Sequence, residues 1–207
     1  PGTSLPLRAV VVLGAAGNLG QHLCQEAAAR GLECVPLTRA QIDLSRPDAE
    51  LRRELRARLW AARLCAEALG GRAALLNAAA YTDVDRAERE EDLAYTVNAL
   101  GTEVAAQAAR AAGVWLCHVS TDFVFDGRAA QPYDEFDLPN PLGRYARSKH
   151  AGEVLLAQVG AAHCLVRVQG LYGRGGRNFV STLLQRLQQG QALRVDRARR
   201  VQPTWTR

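Results

Sequence analysis

Tyr145 and Lys149 stand four residues apart in Tyr-Ala-Arg-Ser-Lys, and Lys149 is the sole lysine in a 207-residue chain that counts 26 lysines and arginines together. Guanidinium is a permanently charged fork, whereas an ammonium is a compact charge that hydrogen-bonds hydroxyls and tunes the pKa of a neighbour. On a helix, a pair at i and i+4 sets the phenol and the ammonium on one face. The ammonium is then expected to favour phenolate and to draw the tyrosine pKa from about 10 toward neutrality, where the group gives or takes a proton. Asn140 and Pro141 are placed to serve as N-cap and first residue of that helix.

A hydroxyl partner stands upstream. Residues 114–119, Val-Trp-Leu-Cys-His-Val, read as a buried strand that delivers Ser120, Thr121 and Asp122 at its carboxyl end, the edge where open α/β sheets bind ligands. The same residue types also cap helices and close turns, so the functional reading leans on Tyr145 and Lys149 downstream. A second chemical signal lies near the amino end, where an apolar run leads into Gly14-Ala-Ala-Gly17-Asn-Leu-Gly20 and then a helix. Glycines let the backbone turn tightly and approach a pyrophosphate, which sits on the free N–H groups and positive dipole end of the helix. After the next strand, Thr38-Arg39 stands where a carboxylate would grip a ribose 2′-hydroxyl, and Arg39 instead suits a 2′-phosphate, so the site leans toward NADP.

The elements that must position these groups alternate along the chain. Strands are expected at residues 8–13, 33–37, 72–77, 114–119 and 163–168. Helices are expected from the glycine turn to about residue 30, over about 48–69, 93–112, around Tyr145 and Lys149, and from 179 to about 189. The helix at 48–69 carries Leu51, Leu55, Leu59, Ala62, Ala66 and Leu69 on one stripe and turns its arginines to water. A Gly/Arg loop fills 170–178, and Leu193-Arg-Val195 follows the last helix. Such alternation makes an α/β fold, a doubly wound parallel sheet with right-handed connections. Residues 1–169 are expected to form a dinucleotide-binding domain, and residues 170–207 to begin a substrate-binding lobe.

The totals narrow the function classes. A hydrophobic content of 48% supports a sizeable core. No apolar run reaches the roughly 18 to 20 residues of a membrane span, and the first residues lack the basic and apolar regions of a signal peptide, so no membrane role and a cytoplasmic location are expected. The five cysteines include no Cys-x-x-Cys and read as reduced core residues, and the four histidines are not arranged as a metal site. Residues 167–207 hold nine arginines and one acid, a charge of +8 within a net +5, leaving −3 on residues 1–166. With no interleaved aromatics or recognition helix, nucleic acid is the weaker partner for that basic end and a diphosphate-bearing small ligand the better one, beside the plainer reading of a solvated face.

Taken together, the glycine turn, the strand-end Ser120-Thr121-Asp122 and Tyr145-x-x-x-Lys149 resemble the extended short-chain dehydrogenase/reductase superfamily. More narrowly, residues 77–88 (Asn-Ala-Ala-Ala-Tyr-Thr-Asp-Val-Asp-Arg-Ala-Glu), Val97-Asn-Ala, 120–127, 139–153 and Gly176-Arg-Asn-Phe-Val180 resemble the dTDP-4-dehydrorhamnose reductase family over nearly all of 8–207. The resemblance implies that Tyr145 protonates the oxygen of a sugar C4 ketone while a nicotinamide delivers hydride. By the same resemblance Lys149 holds the ribose and Thr121 bonds the carbonyl. Gly14, Gly17, Asn18 and Leu19 would hold the pyrophosphate, Asp43 and Leu44 the adenine, and Ala80, Tyr81 and Thr82 the nicotinamide half, with Gly20, Arg39 and Val119 also on the cofactor. Thr82, Val84, Thr121, Asp122 and Phe123 would meet the sugar. The implied cofactor is NADPH, with NADH as the alternative, the implied partner a nucleotide sugar, and the implied assembly a homodimer.

Two departures accompany the resemblance. Gly170 stands where the family carries a tryptophan against the sugar, and the family continues for many residues past Pro203-Thr204. Both also suit a non-catalytic member, of the kind found as the regulatory subunit of methionine adenosyltransferase.

Overall fold

The protein is described from a computed structural model, which describes residues 5–176, 178–193 and 202–206. Five strands, β1 (Leu7–Leu13), β2 (Glu33–Leu37), β3 (Arg72–Asn77), β4 (Trp115–Thr121) and β5 (His163–Val168), form one parallel sheet in the order β2-β1-β3-β4-β5. Near-continuous Val and Leu in β1 reflect burial on both faces, since helices cover each side. Toward one face, Val11, Leu13, Leu75 and Leu116 pack on α2 (Ala49–Ala68) and α5 (Gly101–Ala112). Toward the other, Val10 and Val12 meet Leu23, Cys24 and Ala27 of α1 (Asn18–Ala29).

The order reverses between β1 and β3, because the chain leaves β1 for β2 on one side and returns to β3 on the other. That switch point opens a crevice at the strands' carboxyl ends, where doubly wound sheets take their ligands. The short helices α3 (Val84–Ala87) and α4 (Glu91–Tyr95) lie beside it, and α6 (Arg144–Val159) and α7 (Phe179–Gln188) follow.

The expected elements form, with four differences. The helix expected at 93–112 is interrupted by a π turn at Thr96–Leu100, where buried Asn98 bonds to a neighbouring loop. Leu69 ends α2 as its C-cap and is 49% exposed, so the stripe stops at Ala66, and Arg63 turns inward to donate to Ala112 O at 3.0 Å. Asn140 and Pro141 do not start the catalytic helix. Gly143 is its N-cap, because the Asn140 side chain donates to Asp126 and its N–H bonds Val124 O, which ties it to the preceding loop. The cysteines are all free thiols, but none is fully buried: Cys65 faces water from α2, and Cys164 lies on β5, a strand at the sheet's edge.

Among the described residues no helix is long and apolar enough to cross a membrane, and no cluster of His, Cys, Asp or Glu could hold a metal ion. Val195 and six of the nine arginines of the basic end (Arg177, Arg194, Arg197, Arg199, Arg200 and Arg207) lie outside the described residues, and with them most of the Leu193-Arg-Val195 segment.

Candidate active site

A cleft of about 1050 Å³ opens over the carboxyl ends of β1, β3 and β4. Its floor is the first βα turn. Gly14 has φ of +75°, and a Cβ there would come 2.8 Å from the backbone of Ala79, so only glycine lets the two turns approach. Gly14, Gly17, Asn18 and Leu19 line the cleft, whereas Gly20 does not. A side chain at position 20 would collide with Gly14 O, so the third glycine serves the packing of α1 against the turn. Asn18 Oδ1 is buried with no hydrogen-bond partner, an acceptor at the amino end of α1.

Arg39, Asp43 and Leu44 line one end of the cleft. Arg39 lies 3.4 Å from the Asp43 carboxylate with 77% of its side chain exposed, which leaves the guanidinium accessible on the rim. Burial pushes the Asp43 carboxyl up, but hydrogen bonds from Ser45 and the Arg39 charge outweigh it and hold the group below its ordinary value. Ala80, Tyr81, Thr82 and Val84 form the middle, where small side chains leave room for a flat ring. The Tyr81 hydroxyl donates to Glu90 at 2.8 Å, and its backbone is pinned by Asn98, whose amide accepts from Tyr81 N–H at 2.9 Å and donates to Tyr81 O at 3.1 Å.

At the far end Val119, Thr121, Asp122, Phe123, Tyr145 and Lys149 come together. The Phe123 ring meets the Tyr145 ring edge-on, with centroids 5.8 Å apart. Burial raises the Tyr145 pKa above its ordinary value, a hydrogen bond with Thr121 opposes that, and the Asp122 charge adds to it. This corrects the expectation that the ammonium would draw the phenol toward neutrality. Lys149 Nζ donates one of its three N–H groups to Val119 O at 2.8 Å, on the backbone of β4. The lysine itself is buried, and desolvation brings its pKa down to about 8 against the opposing charge of Glu153. A tyrosine that stays protonated at neutral pH is an acid, the form needed to protonate a carbonyl oxygen during reduction.

Three buried side chains that hold this constellation had no role assigned from sequence. Asn98 Nδ2 donates to Ser148 Oγ at 2.9 Å, joining the Tyr81 loop to the catalytic helix. Glu153, one turn beyond Lys149, accepts from Ser120 Oγ at 2.5 Å and from Arg167 at 2.7 and 3.1 Å, which ties α6 to β4 and β5. His118 lies between Asn77 and Lys149. The available signals were polar residues within apolar stretches: Asn98 in a Val/Ala/Leu run, and His118 in a strand.

A two-sided parallel sheet, a glycine turn at its switch point and a Tyr-x-x-x-Lys helix over the strand ends define the class of extended short-chain dehydrogenases/reductases. Within it the chain belongs to the family described as RmlD substrate binding domain, whose sequence model matches residues 8–207. The chain is 33% identical to the spore coat polysaccharide biosynthesis protein SpsK of Bacillus subtilis, covering 96% of this chain and 65% of that protein. It is 39% identical to dTDP-4-dehydrorhamnose reductase of Mycobacterium tuberculosis, covering 90% and 58%. A crystal structure of dTDP-4-dehydrorhamnose reductase from Bacillus anthracis in complex with NADP superposes with a TM-score of 0.78 at 32% identity, covering 89% of this chain and 61% of that one. The chain thus spans about three fifths of the length of these relatives.

Proposed function

We propose that this chain carries the cofactor-binding and acid–base half of an NADPH-dependent reductase of nucleotide-linked 4-keto sugars, most like dTDP-4-dehydrorhamnose reductase. The observation that carries the reading is the convergence of Thr121, Tyr145 and Lys149 on one cleft with the glycine turn. The cleft fits a dinucleotide: Gly14 leaves no room for a side chain beside Ala79, and α1 begins at the cleft with no side chain capping its first N–H groups. Gly14, Gly17, Asn18 and Leu19 hold the pyrophosphate, Arg39 a 2′-phosphate, Asp43 and Leu44 the adenosine, and Ala80, Tyr81, Thr82 and Val119 the nicotinamide half.

When bound, the cofactor supplies a hydride to the ketone carbon. Thr121 donates a hydrogen bond to the carbonyl oxygen, and Tyr145 gives that oxygen its proton as negative charge develops there. Lys149 holds the ribose hydroxyls and returns a proton to the phenolate. Thr82, Val84, Asp122 and Phe123 meet the sugar, with Gly170 beside them leaving space on that wall. Residues 1–169 are the dinucleotide-binding domain, and 170–207 begin the lobe that closes over the sugar nucleotide. A homodimer, a cytoplasmic location and NADPH in preference to NADH go with this reading.

The test is consumption of NADPH, followed by loss of nicotinamide absorbance, when the full-length protein is given dTDP-4-dehydro-L-rhamnose. Turnover is expected. Measurable NADPH binding with no turnover on this or related 4-keto sugars contradicts the reading and points instead to a regulatory subunit, for which co-purification with an adenosyltransferase is the check.

A further inference from the structure

Asn77 and His118 face each other across β3 and β4, where the strand register pairs them, and both are fully buried. Asn77 Oδ1 accepts from Ala79 N–H at 3.2 Å, which fixes the amide so that Nδ2 is the atom 3.1 Å from His118 Nδ1. An amide NH₂ only donates, so Nδ1 must be the bare, accepting nitrogen, and a neutral ring then carries its proton on Nε2. That nitrogen lies 3.5 Å from Lys149 Nζ. An imidazolium would set an Nδ1–H against the same NH₂. Burial and the adjacent Lys149 and His163 charges independently hold the ring's pKa well below its ordinary value.

We propose that His118 is a positioning residue for Lys149: locked by Asn77 as the neutral Nε2–H tautomer, it presents a donor to the lysine amine and so weakens the hold of Lys149 on its own proton. The inference rests on the reading of Tyr145 and Lys149 as the reducing pair. Two donors that face each other do not bond, which accounts for a separation longer than an ordinary hydrogen bond and for the turn of the ammonium to Val119 O at 2.8 Å. Once the amine has lost its proton, its lone pair accepts Nε2–H, so the ring favours the neutral form. The other charge acting on the amine is Glu153 from its own helix, whose carboxylate favours the ammonium, and Tyr145 lines the same cleft. In the reaction, Tyr145 becomes phenolate when it protonates the ketone oxygen. A proton then passes from Lys149 Nζ to the phenolate oxygen, and the amine regains one from solvent. His118, buried and neutral, sets the ease of that return without carrying the proton.

Because Lys149 is the sole lysine of residues 1–207, carbon-13 labelling at lysine Cε gives this segment a single resonance to titrate. In the full-length protein, nitrogen-15 spectra are expected to show His118 with Nε2 protonated and Nδ1 bare throughout the neutral range. An Nδ1–H tautomer or an imidazolium overturns the proposal, and this measurement needs no variant. The lysine resonance is expected to titrate near 8 in the parent and higher in Asn77→Asp, where a carboxylate accepts Nδ1–H and turns Nε2 into an acceptor. In a His118→Phe background most of that upward shift should vanish; an undiminished shift means the carboxylate acts directly and refutes the role of the ring. Both readouts are taken without turnover, so failure of the reductase reading is seen separately, as absence of NADPH consumption.

Discussion

The Glu88 carboxylate accepts a hydrogen bond from the backbone N–H of Arg144 at 2.8 Å, so the helix bearing Tyr145 and Lys149 is capped by a residue from a different part of the chain. Gly143 at the N-cap has no side chain to do this, and the first turn of α6 contains no acid. Arg144 also pairs with Glu91 at 2.5 Å, which fixes the same helix end to α4. The α3–α4 segment thus lines the cleft and seats the catalytic helix.

Replacing Glu88 by Ala removes the acceptor and a favourable charge at the amino end of α6. Stability is expected to fall by about 0.5 to 1 kcal/mol, a small loss because the group is exposed. The check is the midpoint of denaturant unfolding at unchanged slope. Glu88→Gln, which keeps an acceptor oxygen, should recover about half of the loss.

Arg167 is the charged partner of a carboxylate whose side chain is only 7% exposed. Arg167→Met leaves Glu153 with Ser120 and a half-exposed His150, an incompletely paired buried charge. A loss of about 2 to 3 kcal/mol is expected, the lower end for such pairs because Arg167 is itself 22% exposed. A thermal or denaturant unfolding curve indistinguishable from that of the parent would contradict the assigned pairing.

The pH profile follows from two shifts of opposite sense. Burial lowers Lys149 to about 8 and raises Tyr145 above its ordinary value. The charged lysine is the active form and is lost as pH rises through its pKa, whereas the protonated tyrosine persists beyond that range. The rate of reduction should therefore be flat below the lysine pKa and fall as pH rises through about 8. Lys149→Arg, which stays charged, should lose this limb along with most of its activity. The measurement is kcat/KM against pH at saturating NADPH.

Arg39, exposed on the rim, is expected to meet a 2′-phosphate. Arg39→Ala should raise the KM for NADPH about tenfold, the loss of one charge-assisted hydrogen bond of about 1.5 kcal/mol, while leaving the KM for NADH unchanged. An equal effect on both cofactors would remove the guanidinium from cofactor choice.

Much of the fold was legible because local signals and burial agree. Strands β2, β3 and β5 match their expected bounds to the residue, since short apolar runs are bracketed by glycine or by a polar turn. The start of α6 was not legible: Asn140 has the local character of an N-cap, but its side chain goes to Asp126, fourteen residues earlier, and the actual cap comes from Glu88. For the site, the glycine turn, Arg39, Thr121, Tyr145 and Lys149 could be named from residue types and spacing and the remaining contacts from the family resemblance, and all the proposed contacts except Gly20 line one cleft. The direction of the Tyr145 shift could not be read, because it depends on how deeply the fold buries the phenol and on its setting beside Thr121 and Asp122 of another element. His118 carried no sign of a role beyond its place in a strand, and only the register of β3 against β4 shows what it faces.

The most direct test follows deuterium from C4-labelled NADPH into C4 of the sugar on a dTDP-linked 4-keto substrate, with the full-length protein and its Tyr145→Phe variant. The account predicts label in the alcohol product of the parent, and at least about a hundredfold slower transfer in the variant with NADPH binding retained. Undiminished transfer by Tyr145→Phe, or no transfer by a parent that binds NADPH, would contradict it.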